Sequence, residues 1–180
     1  MKTRTMMLIA GAIVALVVAF VFTTNLKPPE GQAGIPKLSA EKNLAIYTRD
    51  GKKIDLSRLK GKIVVVHFWA TWCPPCRSTL EWLGEVKKKY GDNVAVLALA
   101  VESPEQQVRD TAASLSPEIR WAIAAPDTAR AFGDIVAVPT MFLFDRSGKT
   151  VKVLYGAPPD LHQQAERAME QLTKVPVGGQ

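Results

Sequence analysis

A run of seven apolar residues that ends against two cysteines constrains this chain more than any other feature. Ile63–Trp69 (IVVVHFW) is broken in hydrophobicity only by His67, the pattern of a strand buried on both faces of a sheet. Beyond Trp72-Cys73-Pro74-Pro75-Cys76, the residues Leu80, Leu83, Val86 and Tyr90 recur near helical spacing. Lys87, Lys88 and Lys89 follow where a helix dipole favours cations, as a solvated helix end. The spacing predicts a helix from Pro75 to about Tyr90. The cysteines therefore fall where a buried strand gives way to a helix.

That placement has chemical consequences. Cys73 lies near the helix N-cap, where unpaired backbone N–H groups and the dipole stabilise a thiolate. A thiolate is the nucleophile of disulfide exchange, so the position predicts reactivity at neutral pH. Cys76, one turn later on the same face, is within reach to resolve a mixed disulfide. Pro75 lacks only an N–H that would be unpaired anyway. Pro74 has no N–H to offer the Cys73 sulfur, so the dipeptide should tune the redox potential. A purely structural disulfide is the weaker reading, because C-x-x-C spacing closes a tiny loop with little entropic benefit. A metal site has only His67 and His162 left as soft ligands, and neither has motif spacing.

The 180-residue chain is 47% hydrophobic and 22% charged, with Gly 12, Pro 12 and Cys 2. Such a balance fits one globular domain plus a short extra segment and excludes solenoid, collagen-like and disulfide-dense scaffolds. The formal charge is +6, without an Arg-rich patch, which argues against a nucleic-acid partner. Met6 to Phe22 carries no charge and follows Lys2 and Arg4. About 17–19 such residues just span a hydrocarbon core, and the positive-inside rule keeps the leading end in the cytoplasm. Residues 18–25 (VAFVFTTN) offer no small-x-small cleavage pair, so an uncleaved anchor is favoured over a signal peptide. Export follows either way: a single pass through a bacterial inner membrane with the catalytic domain on the periplasmic, extracytoplasmic side. The expected organisation is an anchor or signal peptide over 1–25, a Pro- and Gly-rich linker over 26–37, one domain over 38–174 and a flexible tail over 175–180.

Within the domain, Leu44–Thr48 and Lys53–Leu56 read as an N-terminal hairpin around a D-G turn. Val94–Val101 reads as a second buried strand. Ser103-Pro104-Glu105-Gln106 has the form of an N-cap with a capping box, opening a helix to about Leu115. A short strand at Ile119–Ile123 and a short helix at Asp127–Phe132 come next. Thr140–Asp145 and Thr150–Tyr155 flank the turn Arg146-Ser147-Gly148-Lys149, and a last helix runs from about Pro159 to Leu172. A βαβ start with a ββα finish implies an α/β fold with a mixed sheet and helices on both faces.

Phe68-Trp69-Ala70-Thr71-Trp72-Cys73-Pro74-Pro75-Cys76-Arg77 resembles the active-site segment of the thioredoxin superfamily. It is most similar to the membrane-anchored, extracytoplasmic thiol:disulfide oxidoreductases of the TlpA/ResA type, which include the cytochrome c maturation thioredoxins. Val138-Pro139-Thr140-Met141-Phe142-Leu143-Phe144-Asp145-Arg146-Ser147-Gly148-Lys149 resembles the second signature of that family. The likeness spans residues 38–173. It implies a thioredoxin-like fold with a central mixed sheet flanked by helices, an N-terminal hairpin and a central insert around 104–132. The insert is not the larger, wholly helical one of the disulfide-introducing oxidases. The resemblance further implies that the Val138–Pro139 bond is cis, that Pro139 packs against the cysteines, and that the backbone beside it pairs with substrate. Cys73, Cys76, Pro139 and His67 are then the catalytic candidates, with Trp72, Pro74, Pro75 and Val138 against the substrate.

Two positions depart from the family. His67 stands where thioredoxins bury an acid. A neutral imidazole there could take the Cys76 proton during exchange, the plain alternative being a hydrogen-bonded core histidine. Thr79 stands where cytochrome c maturation reductases commonly carry a glutamate, and Glu81 lies elsewhere on the helix. Trp69, Trp82 and Trp121 read as core or groove residues, and His162 as an incidental surface histidine. The function expected is reduction of disulfides in exported proteins, with no cofactor beyond the Cys73–Cys76 couple. Electrons would come from a membrane electron-transfer thiol reductase, because that compartment is kept oxidising. The alternative is a copper-handling or chaperone module with the two thiols as ligands. A peroxide-reducing relative fits less well, since Thr-Trp-Cys places Thr71 too close to the cysteine.

Overall fold

A computed structural model describes residues 47–48, 59–133 and 135–174. The apolar stretch 6–22, the linker, the tail and most of the N-terminal hairpin lie outside the described residues. Among the described residues no helix is long and apolar enough to cross a membrane.

The centre of the molecule is the strand pair read from sequence. Ile63–Trp69 (β2) and Val94–Ala100 (β3) are buried at every position. They pair in parallel from Ile63↔Val94 to Trp69↔Ala100. A strand that is apolar at almost every position has to be covered on both faces, which is why these two sit in the middle. Counting also Tyr47–Thr48 (β1), Arg120–Ile123 (β4), Thr140–Phe144 (β5) and Thr150–Tyr155 (β6), the sheet runs β1-β4-β3-β2-β5-β6. β4 joins β3 in parallel, while β5 joins β2 and β6 in antiparallel fashion. Of the expected N-terminal hairpin, only β1 is described, and it pairs antiparallel with β4.

Among the described residues, four α-helices cover the sheet: α1 (Pro74–Tyr90), α2 (Glu105–Ser114), α3 (Pro126–Ala131) and α4 (Leu161–Thr173). α1 begins on two prolines and ends at Gly91, whose φ of +52° lets its N–H return to Lys87 O. Lys87 also donates to Gly91 O (2.6 Å) and pairs with Asp92, while Lys89 bridges to Glu166 and Glu170 of α4. The lysine run is thus partly structural. Midway along α1, a Cβ on Gly84 would stand 3.0 Å from Ser116 Cβ, so the smallest residue permits the close approach.

The two faces have separate cores. Beneath α1, α2 and α4 lie Ile63, Val65, Trp69, Val96 and Ala98 with Leu80, Leu83, Val108, Ala165 and Met169. On the other face, Val64, Val66, Phe68, Leu97 and Leu99 meet Leu59, Phe132, Phe142 and Phe144. The expected insert is α2-β4-α3, with β4 extending the sheet. The turn after β5 is tied by Asp145, whose Oδ1 accepts from Ser147 and Lys149, with Gly148 at φ +82°.

The capping box expected at Ser103 does not form. Pro104 occupies the N-cap of α2, with no side-chain cap bond. The Ser103 hydroxyl is engaged elsewhere, in the contact described next.

Candidate active site

The C-terminal ends of β2 and β3 and the start of β5 meet at one end of the sheet, the usual place for a site in an open α/β sheet. Phe68↔Thr140 is the last pair between β2 and β5, so Pro139 stands one step further, at the level of Trp69. The chain then leaves β2, and Cys73 N–H donates to Ala70 O (3.1 Å) to close the turn into α1.

Cys73 is the N-cap of α1 and is disulfide-bonded to Cys76, Cα to Cα 5.3 Å. Cys73 is 5% exposed and Cys76 0%. Of the two, only Cys73 keeps any exposed surface. Pro74 and Pro75 occupy the first two helical positions, and the next N–H, that of Cys76, donates to Cys73 O (3.1 Å). An N-cap side chain ordinarily accepts from the second or third helical N–H. Here the second does not exist and the third is already engaged. The Cys73 sulfur thus sits in the helix field with its direct backbone donors removed.

A clasp holds the segment ahead of Cys73. Thr71 N–H donates to Ser103 Oγ (2.9 Å), and that hydroxyl donates to Val101 O (2.8 Å). Thr71 Oγ1 donates to Gln107 Oε1 (2.8 Å), and the Trp72 indole donates to Glu102 O (3.0 Å). Glu102 has φ +44°, which non-glycine residues seldom adopt. Trp72 remains 60% exposed and, with the exposed Pro74 and Pro75, forms an apolar edge beside the cysteines. Val138 is half-buried between both cores; the Val138–Pro139 bond is cis and Pro139 is buried.

His67 shares the β2 face of Val65 and Trp69, the face that carries the cysteines. It is fully buried, and neither ring nitrogen has a hydrogen-bond partner. Burial pushes its pKa down to about 3, the nearby Cys76 backbone acting the other way and His162 adding slightly to the fall. The imidazole is neutral at any working pH.

Sequence reasoning also undervalued His162. Its ring lies flat on Trp82 (centroids 4.4 Å, planes 4°), and Nε2 is 3.2 Å from Thr79 Oγ1. Thr79 is buried one turn beyond Cys76 and donates to Pro75 O (3.0 Å). Trp69 and Trp121 pack edge to face in the core, as expected. The helical offset of Thr79 from Cys76 was visible in sequence; its partner, 83 residues away, was not.

The Redoxin family model matches residues 29–172. A thiol-disulfide oxidoreductase ResA of Bacillus cereus is 30% identical over 134 residues, 73% of this chain and 75% of that protein. ResA of Bacillus subtilis (strain 168) is 28% identical over 86% of this chain and 87% of its own length. A thioredoxin-family thiol:disulfide interchange protein from Chlorobium tepidum TLS, solved by crystallography, is similar with a TM-score of 0.63 at 30% identity. That likeness covers 70% of this chain and 90% of the other. The fold is thioredoxin-like.

Proposed function

This chain belongs to the Redoxin family and is a thiol–disulfide oxidoreductase, and from that premise we propose that it reduces disulfides of exported proteins through Cys73 and Cys76. The observation that carries the reading is the asymmetry of the pair: Cys73, at a helix N-cap, keeps a little exposed surface, while Cys76 has none.

In this reaction the Cys73 thiolate attacks one sulfur of a substrate disulfide, and the other substrate sulfur leaves as a thiolate that takes up a proton. Cys76 loses its proton and attacks Cys73 Sγ, expelling the second substrate sulfur as a thiol. The substrate gains two electrons and two protons, and the protein ends as the disulfide described above. Trp72, Pro74 and Pro75 supply an apolar seat for the substrate chain, and the backbone beside Val138 and Pro139 supplies a short strand-like edge for it. His67, kept neutral by burial, accepts a hydrogen bond from the Cys76 thiol and does not retain its proton.

The cycle closes when a membrane electron-transfer thiol reductase returns two electrons. The uncharged leader after Lys2 and Arg4 supports an anchored, extracytoplasmic location. Trapping tests the assignment. Cys76→Ser should accumulate mixed disulfides with exported proteins, and Cys73→Ser should accumulate none. Equal trapping by the two variants would remove Cys73 from its role.

A further inference from the structure

His162 is one of only two histidines in the chain, and the mechanism above does not use it. Its surroundings nevertheless lead to the cysteines. The Thr79 hydroxyl has one proton, which goes to Pro75 O at 3.0 Å. His162 Nε2, 3.2 Å from the same oxygen, must then be the donor, so the network assigns the Nε2–H tautomer and leaves Nδ1 to take the next proton. Pro75 O belongs to the peptide that joins Pro75 to Cys76, and the N–H of that peptide donates to Cys73 O. A continuous run of hydrogen bonds therefore leads from the imidazole through Thr79 and the Pro75–Cys76 peptide to the backbone of Cys73. Each donor in such a chain is polarised by the one before it.

We infer that His162 is a positioning residue for the cysteine pair, and that its protonated ring, acting along this run and through space, stabilises the Cys73 thiolate. The inference rests on the reading of Cys73 as the nucleophile. The groups around His162 leave its ring free to do this. Thr79 and Trp82 face it from α1, and His67 lies within its field on β2. Glu81 on α1 is engaged by Arg77, and on its own helix Asp160 accepts from Gln164 while Glu166 is engaged by Lys89. Partial burial lowers the His162 pKa, whereas stacking on Trp82 suits a cationic ring. His67 is held neutral, so His162 is the histidine left to titrate.

Below the His162 pKa the site gains a positive charge and the Cys73 thiol ionises more readily. Above it the assistance is gone. The test is the rate at which iodoacetamide alkylates Cys73 in the full-length Cys76→Ser protein, followed across pH with and without His162→Gln. Glutamine keeps an N–H donor for Thr79 and loses the titration. With His162 present, alkylation below the His162 pKa should run roughly three- to ten-fold faster than in the variant, as expected for a charge–charge interaction in a partly buried site. The two curves should meet by about pH 7.5, since even an unshifted histidine is neutral there and burial lowers this one. Superimposable curves would overturn the inference and leave the reductase reading intact. A Cys73 that reacts no faster than a free thiol at neutral pH would remove both. Should His162→Gln fail to fold, NMR titration of the His162 ring in the unaltered protein decides. A higher midpoint in the dithiol than in the disulfide form is expected by linkage, and identical midpoints would refute it.

Discussion

On the face of the sheet away from α1, Phe68, Phe132, Phe142 and Phe144 form a dry aromatic cluster. Its edge-to-face contacts have ring centroids 5.0 Å apart for Phe68–Phe132 and 5.1 Å for Phe132–Phe142. The face beneath α1 buries a disulfide, an unpartnered imidazole and a threonine hydroxyl among its aliphatic side chains. The face beneath α1 leaves the buried nitrogens of His67 and Trp69 without partners, close to the chemistry. Local violations of this kind persist only where the rest of the structure over-determines the fold. The aromatic face and the two central strands carry stability, so that the face beneath α1 is free to hold reactive groups.

Breaking the aromatic face should have the largest effect and leave the chemistry alone. Phe142→Ala is expected to cost about 3–5 kcal/mol of unfolding free energy in the disulfide form, read by urea titration. The Cys73–Cys76 potential of the folded fraction should not move. A shift in potential would show that the two faces are not separable.

Replacing His67 by leucine removes the unpartnered imidazole from the face beneath α1 and sharpens the contrast. The folded pKa of His67 is depressed to about 3 from an ordinary 6.5. Between those values the unfolded chain binds a proton that the folded protein refuses. Stability contributed this way is present above about pH 6.5 and is lost as pH falls toward 3, at up to about 1.4 kcal/mol per pH unit. In His67→Leu that component of the acid slope should vanish. The variant should also be more stable at neutral pH by about 1–3 kcal/mol, since two orphaned polar atoms are gone. An unchanged slope would mean that the imidazole does reach a protonated state in the fold.

A smaller effect is expected from Pro75→Ala, which restores the second helical N–H and gives the Cys73 sulfur a donor. A hydrogen bond to a charged group contributes about 1.5 kcal/mol or more, equivalent to about one pH unit. The Cys73 thiol should titrate about that much lower, by thiolate absorbance, and the couple should become less reducing. A thiol pKa that stays put would place the missing donor somewhere other than at the Cys73 sulfur.

What could be read from the sequence was what depends on near neighbours. The strands Ile63–Trp69 and Thr150–Tyr155 and the turn between Asp145 and Thr150 followed from hydrophobic runs and turn residues. Cys73 at a helix N-cap followed from the strand-to-helix switch around it. Ser103 shows where such reasoning stops. Its sequence context favours a cap, but the Thr71 N–H, 32 residues away, lies on the adjacent strand end and takes the hydroxyl. The left-handed turn at Glu102, the Trp72 anchor and the His162–Thr79 contact arise in the same way, from elements brought together only by sheet order. None of them has a local signature. The resemblance to the thioredoxin superfamily covered the cis bond before Pro139, which spacing alone could not supply.

The central claim is that this site gives up electrons. The most direct measurement is the reduction potential of the Cys73–Cys76 couple in the full-length protein, poised against a thiol buffer of known potential. A reductase fed from the membrane requires a value near or below the roughly −270 mV of thioredoxin. A value near the roughly −120 mV of a strong oxidant would contradict the reading and make the protein a donor of disulfides.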